Sequence, residues 1–545
     1  MARKRDPRAI AANARREVSE AFARLPIFQR PRGVAALHFA AALDVEAVKG
    51  LISPDEADRA WMGAQRRVVE ASAFAVPAIY DRCAFSGRST TNIDQEIYAE
   101  ARELFDFCYA YEQVEYSFKL ADKGQMEIFA PNRQSRITFA YTDQAADLAE
   151  TALRAREREI VFTGEGLDVN PRDQHEILNA LAQAIRSRIT CRDDRCDYTC
   201  GPDELQLMRS LGREMVKSVP NEMDDAASLA AVTFGQLRLF WGALLAIANT
   251  HFLAHNLASG GSALKWPFET MVLRKTRHEF VEILAQITEM PAGVVEAILG
   301  WYIYDRRISN RSPILQPFLP LGEDTLCLPV LFVNGNNMER NFFKLMHRHP
   351  ILRPFARAVE DRKESIALSD IAAMFPHPLY KTRDCVKIPG VTDADLLAYE
   401  VESGFLLAVQ HKWLAPPDTA EESWDNDERL NEGVMQAVKA REALRVQPEL
   451  ARRALSLSDD ERIERIEAVT VCRGFERTGF CDPANVPVIS EVSFRALCNQ
   501  SGRFEALWEA LNSRPDLKRA SQLVDDCKMQ VTLAGFDFVM PGLAS

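Results

Sequence analysis

The sequence lacks an uninterrupted apolar run of the length expected of a bilayer span. Its most apolar run, LFWGALLAIANTHFLAHNLA at 239–258, is interrupted by Asn249, His251, His255 and Asn256, and its unbroken part stops at Ala248. That is well short of the ~20 apolar residues a spanning helix needs, so the run is expected as a buried helix and no membrane partner is expected. No apolar segment follows the basic, polar start MARKRDPRAIAANARREV, which argues against a secretory leader. Eleven cysteines, an odd number scattered along the chain, read as reduced thiols in a cytoplasmic protein. Acids outnumber bases, 78 to 66. A formal net charge of −12 excludes a generally basic coat but leaves room for a local basic groove.

Several catalytic signatures are missing too. No Gly-x-x-x-x-Gly-Lys-Ser/Thr occurs, and no Gly-x-Ser-x-Gly or dinucleotide fingerprint, which disfavours an intrinsic P-loop NTPase, an esterase-type elbow and a Rossmann enzyme. The run GGSALK at 260–265 reads as a flexible turn. His251 and His255 share a helical face without the glutamate of His-Glu-x-x-His, so they are expected to pack inside a helical domain. Cys191, Cys196 and Cys200 in CRDDRCDYTC lack a Cys-x-x-Cys knuckle and a fourth ligand nearby; zinc there is disfavoured.

What is present is a soluble, multidomain composition: 545 residues, 47% hydrophobic and 26% charged, too long for one core. Residues 1–32 carry nine Lys/Arg against three acids and are expected as a solvated, partly helical arm. From 33 to about 345 the apolar spacing is helical, as in PDEADRAWMGAQRRVVEASAFAV, TDQAADLAETALRAREREI and QHEILNALAQAIRSRI. One or two subdomains of unassigned role are expected there. A β-hairpin is expected within KGQMEIFAPNRQSRITFAYT.

After Pro313 the texture changes. DTLCLPVLFV at 324–333, VKIPG, the 395–413 hairpin, IEAVTVCRGF, VPVISEVSFRAL and QVTLAGFDFVM read as strands. MERNFFKLMHR, FARAVEDRKESIAL and RLNEGVMQAVKAREALRV read as helices, and PPDTAEESWDNDE as an acidic loop. The expected fold class is multidomain α + α/β, with a mainly helical N-terminal region and, over 346–545, an α/β domain around a central mixed sheet.

The chemistry sits in DADLLAYEVESGFLLAVQHKW, residues 393–413. Along FLLAVQHKW the side chains alternate, so Gln410 and Lys412 share one face while His411 takes the other. The turn at Glu402-Ser403-Gly404 reverses the chain and can return Asp395 beside them. A carboxylate with a neighbouring oxygen ligand can hold Mg²⁺ or Mn²⁺, and an ammonium beside it can stabilise charge on a phosphodiester in its transition state. Asp395 is the expected principal metal ligand, Gln410 the completing one and Lys412 the electrostatic catalyst. A plain amphipathic hairpin ending in solvent would show the same alternation.

This stretch resembles the core of the PD-(D/E)XK, or restriction-endonuclease-like, nuclease superfamily. There an Asp on one strand is followed by a hairpin ending in Glu/Asp-x-Lys; here the run ends in Gln-x-Lys. The resemblance covers about 350–500. It implies a metal-dependent nuclease acting on DNA ahead of RNA, in restriction, phage defence or repair, with a partner or self-association through the helical region. It also implies an acid from the preceding helix in the metal shell, with Glu360 the first choice and Glu364 the second, and Gln436 at the edge of the site. Gln410 brings a carbonyl oxygen but no charge, so a non-catalytic binding or regulatory scaffold stays open beside the enzyme.

Overall fold

The computed structural model describes residues 7–52, 57–86, 92–130, 135–142, 171–192, 195–217, 223, 225–258, 270–309, 313–334, 338–414, 420–473, 486–514 and 528–541. The architecture is α + α/β: a helical region with small sheets precedes a five-stranded mixed sheet covered by helices on both faces. The expected helix over TDQAADLAETALRAREREI and the turn at 260–265 fall outside the described residues.

The helical region is organised around Phe234–Ala258. By length and composition this helix is apolar enough to cross a membrane, but it is mostly buried inside the fold. Its Trp241 indole donates to the Tyr302 hydroxyl at 2.7 Å, which satisfies both groups within the core. Pro202–Lys217 packs against it at Gly212 and Gly242. A Cβ on Gly212 would lie 2.7 Å from the Gly242 carbonyl oxygen, so only glycine permits this approach. Asp44, wholly buried in the helix Arg32–Ile52, caps another helix from a distance. Its carboxylate accepts from the Val330 and Leu331 amides at 3.0 and 2.8 Å, the orphan donors at the start of Val330–Asn334. Burial pushes its pKa up to about 7.

Several sequence expectations change here. Residues 324–333 are a strand only over Thr325–Leu328, and the chain turns helical after Pro329 because Asp44 stabilises the new helix start. The acidic segment is helical from Ala420 onward. In VPVISEVSFRAL only Val488–Ser490 is strand; Ser490 then caps the helix Glu491–Ser501 by accepting from the Ser493 amide.

The basic arm is docked rather than solvated. Pro7–Ala23 buries Ala11, Ala14 and Val18, and Arg15 pairs with Glu115 on Gln95–Asp122. It packs with a four-stranded sheet ordered 126–129, 136–141, 536–541 and 528–533. Phe536–Pro541 runs parallel to Arg136–Tyr141. The hairpin expected within 123–142 is present, with Met126–Phe129 antiparallel to Arg136–Tyr141, but the 528–541 hairpin completes that sheet instead of joining the C-terminal one. A division at 345 therefore misplaces 528–541. The helix Arg353–Ala372 also spans the divide: Ala356 and Val359 belong to the large N-terminal core, Leu368 and Ile371 to the C-terminal core.

The C-terminal sheet contains Tyr380–Ile388, Thr392–Glu400, Phe405–Trp413, Arg465–Arg473 and Val488–Ser490, in that spatial order. The first three pair antiparallel; the last two run parallel to Phe405–Trp413. The parallel step needs a crossover, supplied by Ala420–Val446 and Glu449–Ala454. Leu406 and Ala408 face Val434, Ala437 and Leu444 of that crossover. Phe405, Leu407 and Val409 face Leu368, Ile371 and the helices Glu491–Ser501 and Phe504–Ser513. Two-sided burial explains the near-continuous apolar run of the central strand.

Candidate active site

The ladder between Thr392–Glu400 and Phe405–Trp413 runs from Glu400↔Phe405 to Leu396↔Val409 and stops. One step further along that register, Asp395 would face Gln410. Instead of backbone pairing, the Asp395 carboxylate spans the gap: Oδ2 accepts from the Gln410 side-chain amide and, at 2.7 Å, from the His411 backbone N–H. Oδ1 accepts no hydrogen bond among the described residues. On the other side, the pairing with Tyr380–Ile388 skips Cys385 and Asp395. Cys385 has a φ of 50°, a left-handed conformation uncommon outside glycine. The strand also breaks its alternation here. Ala394 packs on the face covered by the crossover helix while Leu396 packs on the opposite face, where a regular strand would put both on one side. Asp395 thus stands at an irregularity between parting strands.

Burial pushes the Asp395 pKa up to about 6. The His411 amide and the Lys412 and His411 side chains oppose that rise, while the negative charge of Glu364 adds to it. Sequence reasoning ranked Glu360 first. The structure places the Glu360 carboxylate 3.1 Å from His347 Nε2 and 3.9 Å from Arg429. The His347 hydrogen bond holds its pKa below the usual range, against burial. Glu364 is the acid on this helix whose charge reaches Asp395.

Gln410 is 4% exposed. Its Oε1 has no hydrogen-bond partner among the described residues, and neither do Gln436 Oε1 and Thr470 Oγ1. Thr470 is Gln410's neighbour in the parallel ladder, and Gln436 lies on the crossover helix over the same face. Lys412 runs along this helix at Gly433, where a Cβ would come 2.9 Å from both Lys412 Cγ and Cε and 3.4 Å from Thr470 Cγ2. Its ammonium has no hydrogen bond or ion pair among the described residues. Sequence reasoning missed Gly433 and Thr470. A glycine inside an otherwise regular helix was the available signal, since it costs about 1 kcal/mol relative to alanine unless packing requires it.

His411 points to the opposite face, where Nε2 lies 3.8 Å from Glu491. Glu491 also approaches Arg473 and Arg495 at 3.9 and 3.5 Å. Trp413 meets Phe343 of the N-terminal core edge-on, and the buried Lys363 ammonium lies 3.4 and 4.3 Å from the two ring centroids. The site strand is thereby joined to the helical region.

The other candidates separate from this site. Cys191 and Cys196 are cross-strand neighbours. The Cys200 thiol lies against Met208 Sδ at 3.8 Å, and burial pushes its pKa up to about 11. His251 is buried with its pKa pushed down to about 3 by burial, and His255 Nε2 lies 3.2 Å from the Thr270 hydroxyl. Both pack inside the helical core. Among the described residues no group of three or more His, Cys, Asp or Glu side chains is gathered as a metal site. At the fork the oxygen donors are one carboxylate, one amide and the nearby Glu364.

No family model, curated protein or solved structure matches this chain.

Proposed function

We propose that the C-terminal sheet is a PD-(D/E)XK-like nuclease core and that the protein hydrolyses phosphodiester bonds of DNA, ahead of RNA, with Mg²⁺ or Mn²⁺ as cofactor. The reading is carried by one coincidence of topology and chemistry. A helix precedes the Asp395 strand and its hairpin, as the resemblance implies, the Gln410 amide is bonded to Asp395 where the second and third strands part, and the Lys412 charge acts on that carboxylate. A hard divalent cation suits the donors: Asp395 Oδ1 and the orphaned Gln410 Oε1 are oxygen ligands, with Glu364 the acid to complete them. Mg²⁺ supplies Lewis acidity and neutralises phosphate charge there. Lys412, unpaired among the described residues and packed against Gly433, would place its positive charge where the phosphate's extra charge develops. Such an enzyme would act in the cytoplasm, in restriction, phage defence or repair.

The test incubates the purified protein with single- and double-stranded DNA and RNA in Mg²⁺ or Mn²⁺, beside Asp395→Asn and Lys412→Ala. Cleavage that both variants lose supports the reading; cleavage undiminished in either variant rejects that residue's role.

One observation favours a second reading, a nuclease-like scaffold that binds without cutting. The Gln410 amide donates to the carboxylate a metal would use, which a Glu at that position could not do when ionised. Mg²⁺ separates the two, because the enzyme should gain thermal stability from it through Asp395 and the scaffold should not.

A further inference from the structure

We infer a second, anion-binding site in the helical region: a cleft of about 690 Å³ that binds a phosphate ester carrying a planar base, a nucleotide or the phosphorylated end of a strand. Four arginines line it, Arg32, Arg277, Arg306 and Arg307, against Asp81 and Asp305. The acids are already used. Arg306 pairs with Asp81, and Arg307 grips Asp305 through Nε and Nη2 at 3.1 and 2.7 Å. Arg32 has no acidic partner among the described residues. Arg277 has only a long contact, 3.6 Å, to the half-exposed Glu296, and exposed pairs of this kind hold little.

Both remaining arginines are also unsatisfied. Among the described residues Arg32 Nε and Arg277 Nε are buried atoms with no hydrogen-bond partner, a costly state for guanidinium donors whose planar fork matches phosphate oxygens. Two such groups lining one cleft call for an oxyanion. The aromatic part comes from Tyr80, which lines the cleft with its ring 5.8 Å from the Arg32 guanidinium, and from Phe85, 58% exposed and outside that lining, whose ring lies 5.7 Å from the same guanidinium. An exposed ring beside an unpaired arginine is the combination that stacks a base while holding its phosphate. The volume is that of an ordinary small-ligand cleft. This site does not depend on the reading of the Asp395 fork.

The experiment titrates the full chain by calorimetry at fixed ionic strength with adenosine, AMP, ATP, inorganic phosphate and an oligonucleotide with or without a 5′-phosphate. The variants are Arg32→Gln, Arg32→Lys, Arg277→Gln, Phe85→Ala and, as a control for loss of charge, the exposed Arg24→Gln; circular dichroism reports folding. Saturable binding of AMP, ATP or the 5′-phosphorylated strand is expected, weakened at least about tenfold by Arg32→Gln and by Arg277→Gln and unchanged in Arg24→Gln. Preference for the nucleotides over the strand identifies a free nucleotide; the reverse identifies a strand end. Arg277→Gln carries the test if Arg32→Gln does not fold. The proposal fails if no phosphate ester binds, if the folded arginine variants bind like the parent, or if inorganic phosphate binds as tightly as AMP.

Discussion

Asp395 and Gln410 stand opposite each other just beyond the last backbone pair of their two strands, and the Gln410 side chain donates to the carboxylate where the backbone ladder has ended. The side chains close a fork that the main chain leaves open. Everything proposed for this domain depends on what that fork does when a cation is offered.

Asp395 should make stability fall as pH rises. Its folded pKa of about 6 lies above the ordinary 3.8, so the native state holds this proton more tightly than the unfolded chain. That contribution is present below about pH 4 and lost as pH climbs through about 6. Asp395→Asn does not titrate, so relative to the parent it should gain about 1–3 kcal/mol between pH 4 and pH 8. Denaturant melts at both pH values check this. In the parent, Mg²⁺ should stabilise at pH 8 and lose its effect below about pH 6, because a protonated carboxyl is a poor ligand.

Gln410→Glu replaces a donor with a second carboxylate facing Asp395. Without metal the two charges repel and the fold should lose about 1–3 kcal/mol. With Mg²⁺ the loss should be reversed and cleavage should rise. Thermal melts with and without Mg²⁺, paired with a cleavage assay, read both effects. A variant indifferent to Mg²⁺ would count against a metal at this fork.

Gly433→Ala should separate stability from activity. Alanine gains up to about 1 kcal/mol of helix propensity, yet its methyl would stand 2.9 Å from Lys412 Cγ and Cε. The flexible lysine should be displaced while the helix remains. The expected result is a melting point close to the parent's and cleavage reduced toward that of Lys412→Ala.

Lys363 should matter to stability through its buried stem and the two rings its ammonium touches. Lys363→Ala removes a buried stem and two cation–π contacts, and should cost about 2–4 kcal/mol. Lys363→Met keeps most of the volume and should cost less than half as much. Denaturant unfolding with the Trp413 fluorescence as probe makes the comparison.

The sequence made the Asp395 hairpin legible because strand alternation is local. Gln410 and Lys412 had to share a face, and a tight turn had to bring Asp395 back; it spans the four residues 401–404. The choice between Glu360 and Glu364 was not legible. Residues four apart lie on one helical face, and only the tertiary contacts with His347 and Arg429 decide which acid is engaged elsewhere. The helix after Pro329 was hidden for a related reason, since its cap comes from Asp44, far upstream. QVTLAGFDFVM was recognisable as β-structure, but nothing within it names Arg136–Tyr141 as its neighbour.

That last pairing sets an order of assembly. While the chain is being made, Arg136–Tyr141 emerges early with one edge lacking its neighbour, and the whole Asp395 sheet is synthesised before Phe536–Pro541 arrives to cover it. An uncovered edge is a place for mispairing. The growing polypeptide must therefore keep that seam clear until the 528–541 hairpin seals it, and deleting that hairpin would leave the edge of Arg136–Tyr141 ajar.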